Sequence, residues 1–457
     1  MYGVFDSQFL PMKVAFAREG TDIDVAYTPN GEVDYLYRTG RLLAVDDPEV
    51  LARLERVLPG VRRAAEEERD AALPGLVILS IEEVEPGFLT VPQAMELIDE
   101  AFGGEEGGEG GGKGDGPWER SARAAEEERW PVSPLHVMHL KGDGRLCEAT
   151  EPEVPCCGHR REGGKGEGGK GEGEPCPPCP PRAGNGGDGL LIGVCDTGLL
   201  ADLDLGQVPW LGGVTGDPDP LGPALPGGAP SIPKYTGHGT FVSGVARCEA
   251  PGAAVHVARL FMKDGGEFEH VIARRLWQIF AGDLTNGRVP ALVNLSAGGY
   301  TRKNRPPLSF NAFFRHHPGV TLTAAAGNDS VCRPFWPAAS RHAIGVGALG
   351  ADLRHRAWFS NFGDWVDVYA PGEALVNAFA TGVYTYQEPP RRPAVQAFDG
   401  MARWSGTSFS APLVAGLIAW QMTAGSASAA DAASALLQQA VADEIQDVGP
   451  VLYPREP

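Results

Sequence analysis

The sequence has no uninterrupted apolar run near the roughly 18–20 residues that a membrane-spanning helix needs, so membrane insertion is not expected. It also lacks positive charge: 39 Lys and Arg stand against 59 Asp and Glu, a formal net charge of −20. Nucleic acids and anionic membrane surfaces bind through positive charge, so neither is an expected partner. The opening residues, MYGVFDSQFLPMKVAFAREG, lack the basic start, apolar run and small-residue cleavage site of a secretory leader. A cytoplasmic protein is expected, with export by another route as the alternative. Without such a leader, the 8 cysteines do not read as a disulfide framework. Hydrophobic residues at 43% and charged residues at 21% fit a soluble globular chain and exclude a collagen, a coiled coil or a wholly disordered polymer.

What is present divides the 457 residues into unequal parts. Residues 1–103 read as a small α+β domain. MKVAF and VDYLYR alternate like strands, and GLVILSIEEV is a short apolar strand. Asp47 is a good N-cap for a helix with Val50, Leu51, Leu54 and Val57 on one face, and VPQAMELIDEAFGG is a second amphipathic helix. Residues 104–185 read as a Gly/Pro/Glu/Lys-rich linker. Within it, 117–150 is a short ordered patch containing SARAAEEERW, helical, and SPLHVMHL, a strand. From 186 to 457 apolar strands alternate with helical runs, which predicts an α/β domain with a mostly parallel, doubly wound sheet.

In such sheets reactive groups gather at the carboxyl ends of strands. Four polar residues fall there, each in a Gly-rich turn: Asp196 in LLIGVCDTG, His238 in TGHGTFVSG, Asn328 in TLTAAAGND and Ser408 in WSGTSFSAPLVAGLIAW. A serine hydroxyl needs a base to become a nucleophile. Histidine takes and returns that proton near neutral pH. A buried aspartate fixes the imidazole tautomer. An amide side chain and a helix-start N–H can hold the oxyanion. Singly, each residue has a plainer reading: a turn, a structural histidine, a helix cap. DTG also occurs in aspartic proteases, but no second DTG exists here.

Together the motifs DTG (196–198), HGT (238–240), AAAGN (324–328) and GTSFSAP (406–412) resemble those of the subtilisin-like serine proteases, the subtilases, over roughly residues 186–440. The resemblance implies a serine endopeptidase working through an acyl-enzyme. In it Asp196 orients, His238 is the general acid/base, Ser408 is the nucleophile and Asn328 the oxyanion donor. It implies Ser296, Ala297 and Gly298 as one wall of the specificity pocket, Ala325 with its neighbours as the other, and Phe335 at the base. A bulky ring there would favour small residues before the cut, or else Phe335 simply packs in the core. No cofactor is implied for the chemistry, and the family's calcium loop after the histidine helix is replaced by a short CEAPGA turn. Asp202, Asp204, Asp217 and Asp219 read as solvated loop residues. Zinc at Cys147, Cys156, Cys157, Cys176 and Cys179 is disfavoured, because the CxxC lies inside PCPPCPP and the other thiols lack regular spacing.

The expected partner is a polypeptide substrate. The resemblance makes residues 1–103 a candidate propeptide, an intramolecular inhibitor removed by self-cleavage in the 150–185 region; a retained regulatory domain is the alternative. Two other functions compete. One is a peptide-cyclising or ligating acyl transferase, for which the insert 380–402 would shield the acyl-enzyme, although a surface loop is the simpler reading. The other is a non-catalytic peptide-binding module.

Overall fold

A computed structural model describes residues 4–65, 73–84, 89–102, 130–140, 151–155, 186–425 and 428–455. The cysteines at 147, 156, 157, 176 and 179, residues 121–129 of the expected helical patch, and the 162–182 repeat lie outside the described residues.

The first half opens with helix α1 (Val4–Arg18), followed by β1 (Ile23–Tyr27), β2 (Val33–Val45), α2 (Pro48–Val57), β3 (Arg62–Arg63), β4 (Leu76–Ser80), α3 (Val91–Phe102) and β5 (Val132–His139). MKVAF, expected as a strand, lies inside α1. Phe5, Phe9, Met12 and Phe16 recur at i, i+4, i+7 and i+11, and the last three are buried. That period outweighs five residues of alternation. Asp47 caps α2 as expected, accepting from the Glu49 and Val50 N–H groups.

These strands form an antiparallel sheet whose faces follow strict alternation. Leu42, Val77 and Leu79 face α2 and α3. Leu43 and Ile78 face the other way, into a core with Phe16 and Val137. That second core also contains Phe268 and Leu308, from beyond residue 186. The strand 132–139, expected as a patch within a linker, is an interior strand of this sheet. It pairs with β2 on one side and with a strand of the second half on the other.

The second half contains β6 (Leu191–Asp196), β7 (Thr215–Gly216), β8 (Ser231–Ile232), α4 (His238–Glu249), β9 (Ala254–Arg259), β10 (Gly266–Phe268), α5 (Glu269–Ala281), β11 (Leu292–Leu295), α6 (Leu308–His316), β12 (Leu322–Ala325), β13 (Ile344–Leu349), β14 (Val368–Pro371), β15 (Leu375–Thr385), β16 (Val395–Trp404), α7 (Thr407–Ala424) and α8 (Ala429–Ala442). Seven strands form a parallel sheet in the order β14-β13-β12-β11-β6-β9-β7. From β6 the chain first supplies β7 and then β9 on one side, and afterwards β11 on the other, so the order reverses at β6. A crevice opens at such a reversal, at the strands' carboxyl ends. Helices α4 and α7 cover one face and α5 and α6 the other. The insert 380–402, expected as a surface loop, is instead most of the β15–β16 hairpin, with β8 alongside β15.

Candidate active site

The alternation of β6 aims its last residue. Ile192 and Val194 pack on the α4/α7 face and Cys195 on the other, so Asp196 points towards the starts of α4 and α7. Asp196 is fully buried. Its Oδ1 accepts from the Thr197 N–H at 2.8 Å and lies 2.7 Å from His238 Nδ1, while Oδ2 has no hydrogen-bond partner among the described residues. His238 is the first residue of α4, after Gly237 at φ 90°, a conformation that glycine adopts without strain. The imidazole sits against the edge of Trp404 and the ring of Phe409, both at 5.3 Å. Cys195 is a packed thiol: burial, then the charge of Asp196, pushes its pKa far up.

Ser408 is in the first turn of α7, where the helix dipole is positive. Pro412 stands four residues on and has no N–H for the Ser408 carbonyl. Ser296 Oγ donates to that carbonyl instead, at 2.7 Å, and Asn294 Nδ2 in turn donates to Ser296 Oγ at 2.8 Å. A buried polar chain from β11 therefore fixes the turn that carries Ser408. The serine's own Oγ donates to the Ser296 carbonyl at 3.3 Å rather than to His238. Asn328 follows β12, and its Oδ1 accepts from the Thr407 N–H at 2.9 Å and from Thr407 Oγ1 at 3.0 Å. With its oxygen so engaged, its Nδ2 donors are left for another acceptor beside Gly406.

Several supporting residues were not singled out from sequence. Asn361 ties down the Asn328 loop, donating to the Ala326 carbonyl and accepting from the Asp329 and Val331 N–H groups. Trp404 braces His238. Asp219 is buried, not solvated as expected. It accepts from Thr197 Oγ1 and from the Gly237 N–H, both at 2.8 Å, and so joins the DTG turn to the HGT turn. Burial pushes its carboxyl up to about 6, against those two hydrogen bonds. Asp217 likewise accepts from the Arg259 N–H. Asp204 accepts from the Gly206 N–H, and Asp202 is exposed.

The expected pocket residues only partly converge. Phe335 is 2% exposed, and its ring runs between Gly298 and Gly327: a Cβ at Gly298 would lie 2.5 Å from the ring and one at Gly327 3.1 Å. Ala297, Ala324 and Ala326 share its core. The Ala325 side chain belongs to the core on the α4/α7 face, because β12 alternates, so it does not meet Phe335.

The Subtilase family profile matches residues 187–450, more than half of the chain. The chain belongs to the subtilase family. It is 32% identical over 274 residues to the extracellular serine proteinase of Thermus sp. (strain Rt41A), covering 58% of each. It is 30% identical over 247 residues to the thermophilic serine proteinase of Bacillus sp. (strain AK1), covering 51% of this chain and 52% of that protein. The chain thus spans between half and three-fifths of the length of these relatives. Among solved structures, fervidolysin from Fervidobacterium pennivorans, a keratinolytic enzyme related to subtilisin, aligns with 91% of this chain and 60% of its own. The TM-score is 0.50 at 17% identity, a likeness of fold.

In this subtilase the first half is seated against the 296–299 segment. The His139 N–H donates to the Gly298 carbonyl at 2.7 Å, and the Gly298 N–H donates back at 3.0 Å. The Leu140 N–H donates to the Gly265 carbonyl at 3.0 Å. Met138 pairs with Glu267 and Val137 with Phe268. Residues 137–140 therefore form an extended strand between β10 and the 296–299 segment, the segment expected to bind substrate. Around them polar side chains join the two halves. Asp99 takes Arg302, Lys303 at 2.6 Å and Arg305 at 2.9 Å, and buried His136 Nδ1 meets Glu269 at 2.9 Å.

Proposed function

We propose that this subtilase is a serine endopeptidase. Ser408 Oγ attacks the substrate carbonyl and gives its proton to His238 Nε2. The charge on the imidazolium is met by Asp196. His238 then passes the proton to the leaving amine, and water repeats the sequence to free the acyl group. Asn328 Nδ2 and the N–H groups at the start of α7 meet the oxyanion. Protons balance within serine, histidine and leaving group, so no cofactor enters the scheme. The observation that carries the reading is the 2.7 Å contact between His238 and a fully buried Asp196, at the sheet edge where α7 presents Ser408. Phe335 between Gly298 and Gly327 supports a short pocket and small residues before the cut.

We further infer that the first half is an intramolecular inhibitor. The antiparallel seat of residues 137–140 supports this, since an extended substrate needs the same backbone groups. By that register a self-cleaved bond would lie on the carboxyl side of Leu140.

A serine-directed phosphonate probe tests the chemistry. Label is expected on Ser408, and it should be lost in Ser408→Ala and His238→Ala. No label, even after limited proteolysis has removed the first half, would overturn the reading. Peptide products ending in new carboxylates separate hydrolysis from acyl transfer to an amine.

A further inference from the structure

The first half touches the second at another place, and neither the chemistry nor the cleft strand uses it. Residues 151–155, Glu-Pro-Glu-Val-Pro, lie along the β15–β16 hairpin, whose second strand ends at the tryptophan that braces His238. Glu153 pairs antiparallel with Arg403: its N–H donates to the Arg403 carbonyl at 2.8 Å, and the Arg403 N–H donates back at 2.7 Å. The Glu153 carboxylate takes Arg403 Nε at 3.0 Å and an ion pair from Arg391. Tyr386 OH donates to the Pro152 carbonyl at 3.0 Å. Glu151 is 6% exposed, and its carboxylate accepts from Tyr384 OH and from the Gln387 N–H, both at 2.9 Å. Beside it a buried Lys234–Glu388 pair at 3.0 Å completes a charged floor.

A carboxylate buried this deeply needs donors already in place. The hairpin supplies them in two separate sets, one for each acid, and reads the backbone between. Removing the occupant would leave the Tyr384 hydroxyl and the Gln387 N–H to find water in place of the Glu151 carboxylate. The two acids are one residue apart, so an extended backbone carries both towards the same side, where the two donor sets meet them.

We propose that the β15–β16 hairpin is a binding site for an extended acidic peptide of pattern Glu-X-Glu, with residues 151–155 as its tethered resident ligand. The site does not depend on catalysis. Its consequence does rest on the proteolytic reading: after a cut between 140 and 151, the new amino-terminal segment stays on the catalytic half while the cleft strand departs.

The test uses the full chain carrying Ser408→Ala, so loss of activity cannot confuse it. Adding Glu151→Ala and Glu153→Ala empties the site. A fluorescent Thr-Glu-Pro-Glu-Val-Pro peptide is then followed by anisotropy. Saturable binding is expected. It should be at least tenfold weaker with the native segment in place, because the tether acts as a competitor of high effective concentration. It should also weaken at least tenfold when Arg403→Ala is added, or when both glutamates of the peptide become glutamine. A folded, emptied protein that binds neither peptide, or both alike, would overturn the proposal. If the emptied protein does not fold, hydrogen exchange on the native segment decides. The Glu153 and Arg403 amides should be protected, and Arg391→Ala should speed their exchange at least tenfold; unchanged exchange would overturn it.

Discussion

Asp99 offers a quantitative test of how the first half is held. Its carboxylate lies at the junction, 9% exposed, and meets Arg302, Lys303 and Arg305 of the catalytic half. Burial pushes its pKa up, but hydrogen bonds from Lys303, Arg302 and Arg305 overcome this and hold it at about 2, against an ordinary 3.8. The difference corresponds to about 2 kcal/mol of preference for the docked, ionised state. Lys303 and Arg302 supply the largest hydrogen-bond contributions, with that of the half-exposed Lys303 reduced by solvent screening. Asp99→Asn keeps the shape and removes the charge. It should therefore favour undocking by roughly thirtyfold. The assay is the rate of phosphonate labelling of Ser408 in the full chain, since the probe needs an open cleft. A depressed carboxyl stabilises docking above about pH 4 and stops doing so as the pH falls towards about 2. Undocking of the parent, followed across that window by hydrogen exchange of the β5 amides because acid removes the general base that labelling needs, should accelerate, and the variant should lack that component. Labelling of Asp99→Asn at the parental rate, with an unchanged pH profile, would refute the argument that this junction holds the cleft shut.

Two further outcomes follow from the site. Phe335→Gly should deepen the specificity pocket and raise kcat/KM for Phe or Leu over Ala before the cut by about 10–100-fold; a parent that already prefers Phe or Leu would place the ring outside the pocket. Asp219 is raised to about 6, so the folded state favours its neutral form, and stability is lost as pH rises from about 4 through 6. Asp219→Asn keeps an acceptor for Thr197 and Gly237 and removes that loss. It should raise thermal stability at pH 7 by about 1–3 kcal/mol and not at pH 4, as measured by calorimetry.

The candidate site residues stand out in the sequence because each sits at a strand or helix end marked by glycine, and those marks are local. The residues that were missed depend on the fold. Asp219 looked like any loop acid until the fold brought it under Thr197 and Gly237. The helix around MKVAF was missed because its period only emerges over the whole stretch from Phe5 to Phe16. The strand 132–139 is flanked by low-complexity sequence, which hid its place as an interior strand of another sheet. Ala325 was assigned by its place in a motif, whereas strand alternation assigns its methyl to the opposite core. The hairpin at 380–402 carries Pro389, Pro390 and Pro393 at its turn, so composition suggested a loop although Tyr384, Phe398 and Trp404 are core residues.

Strand β10 has a consequence beyond inhibition. It is only three residues long, and here its backbone is satisfied by β5. Once the first half leaves, β10 and the 296–299 segment become two facing strand edges with open N–H and carbonyl groups. Such edges recruit any extended chain, including another copy of the same protein. The need to accept a substrate backbone and the risk of self-association therefore reside in the same few peptide groups. As the proposed inhibitor, the first half would answer both, covering a sticky seam as well as stopping a cleft, and a catalytic half made without it should be harder to keep in solution than to keep active.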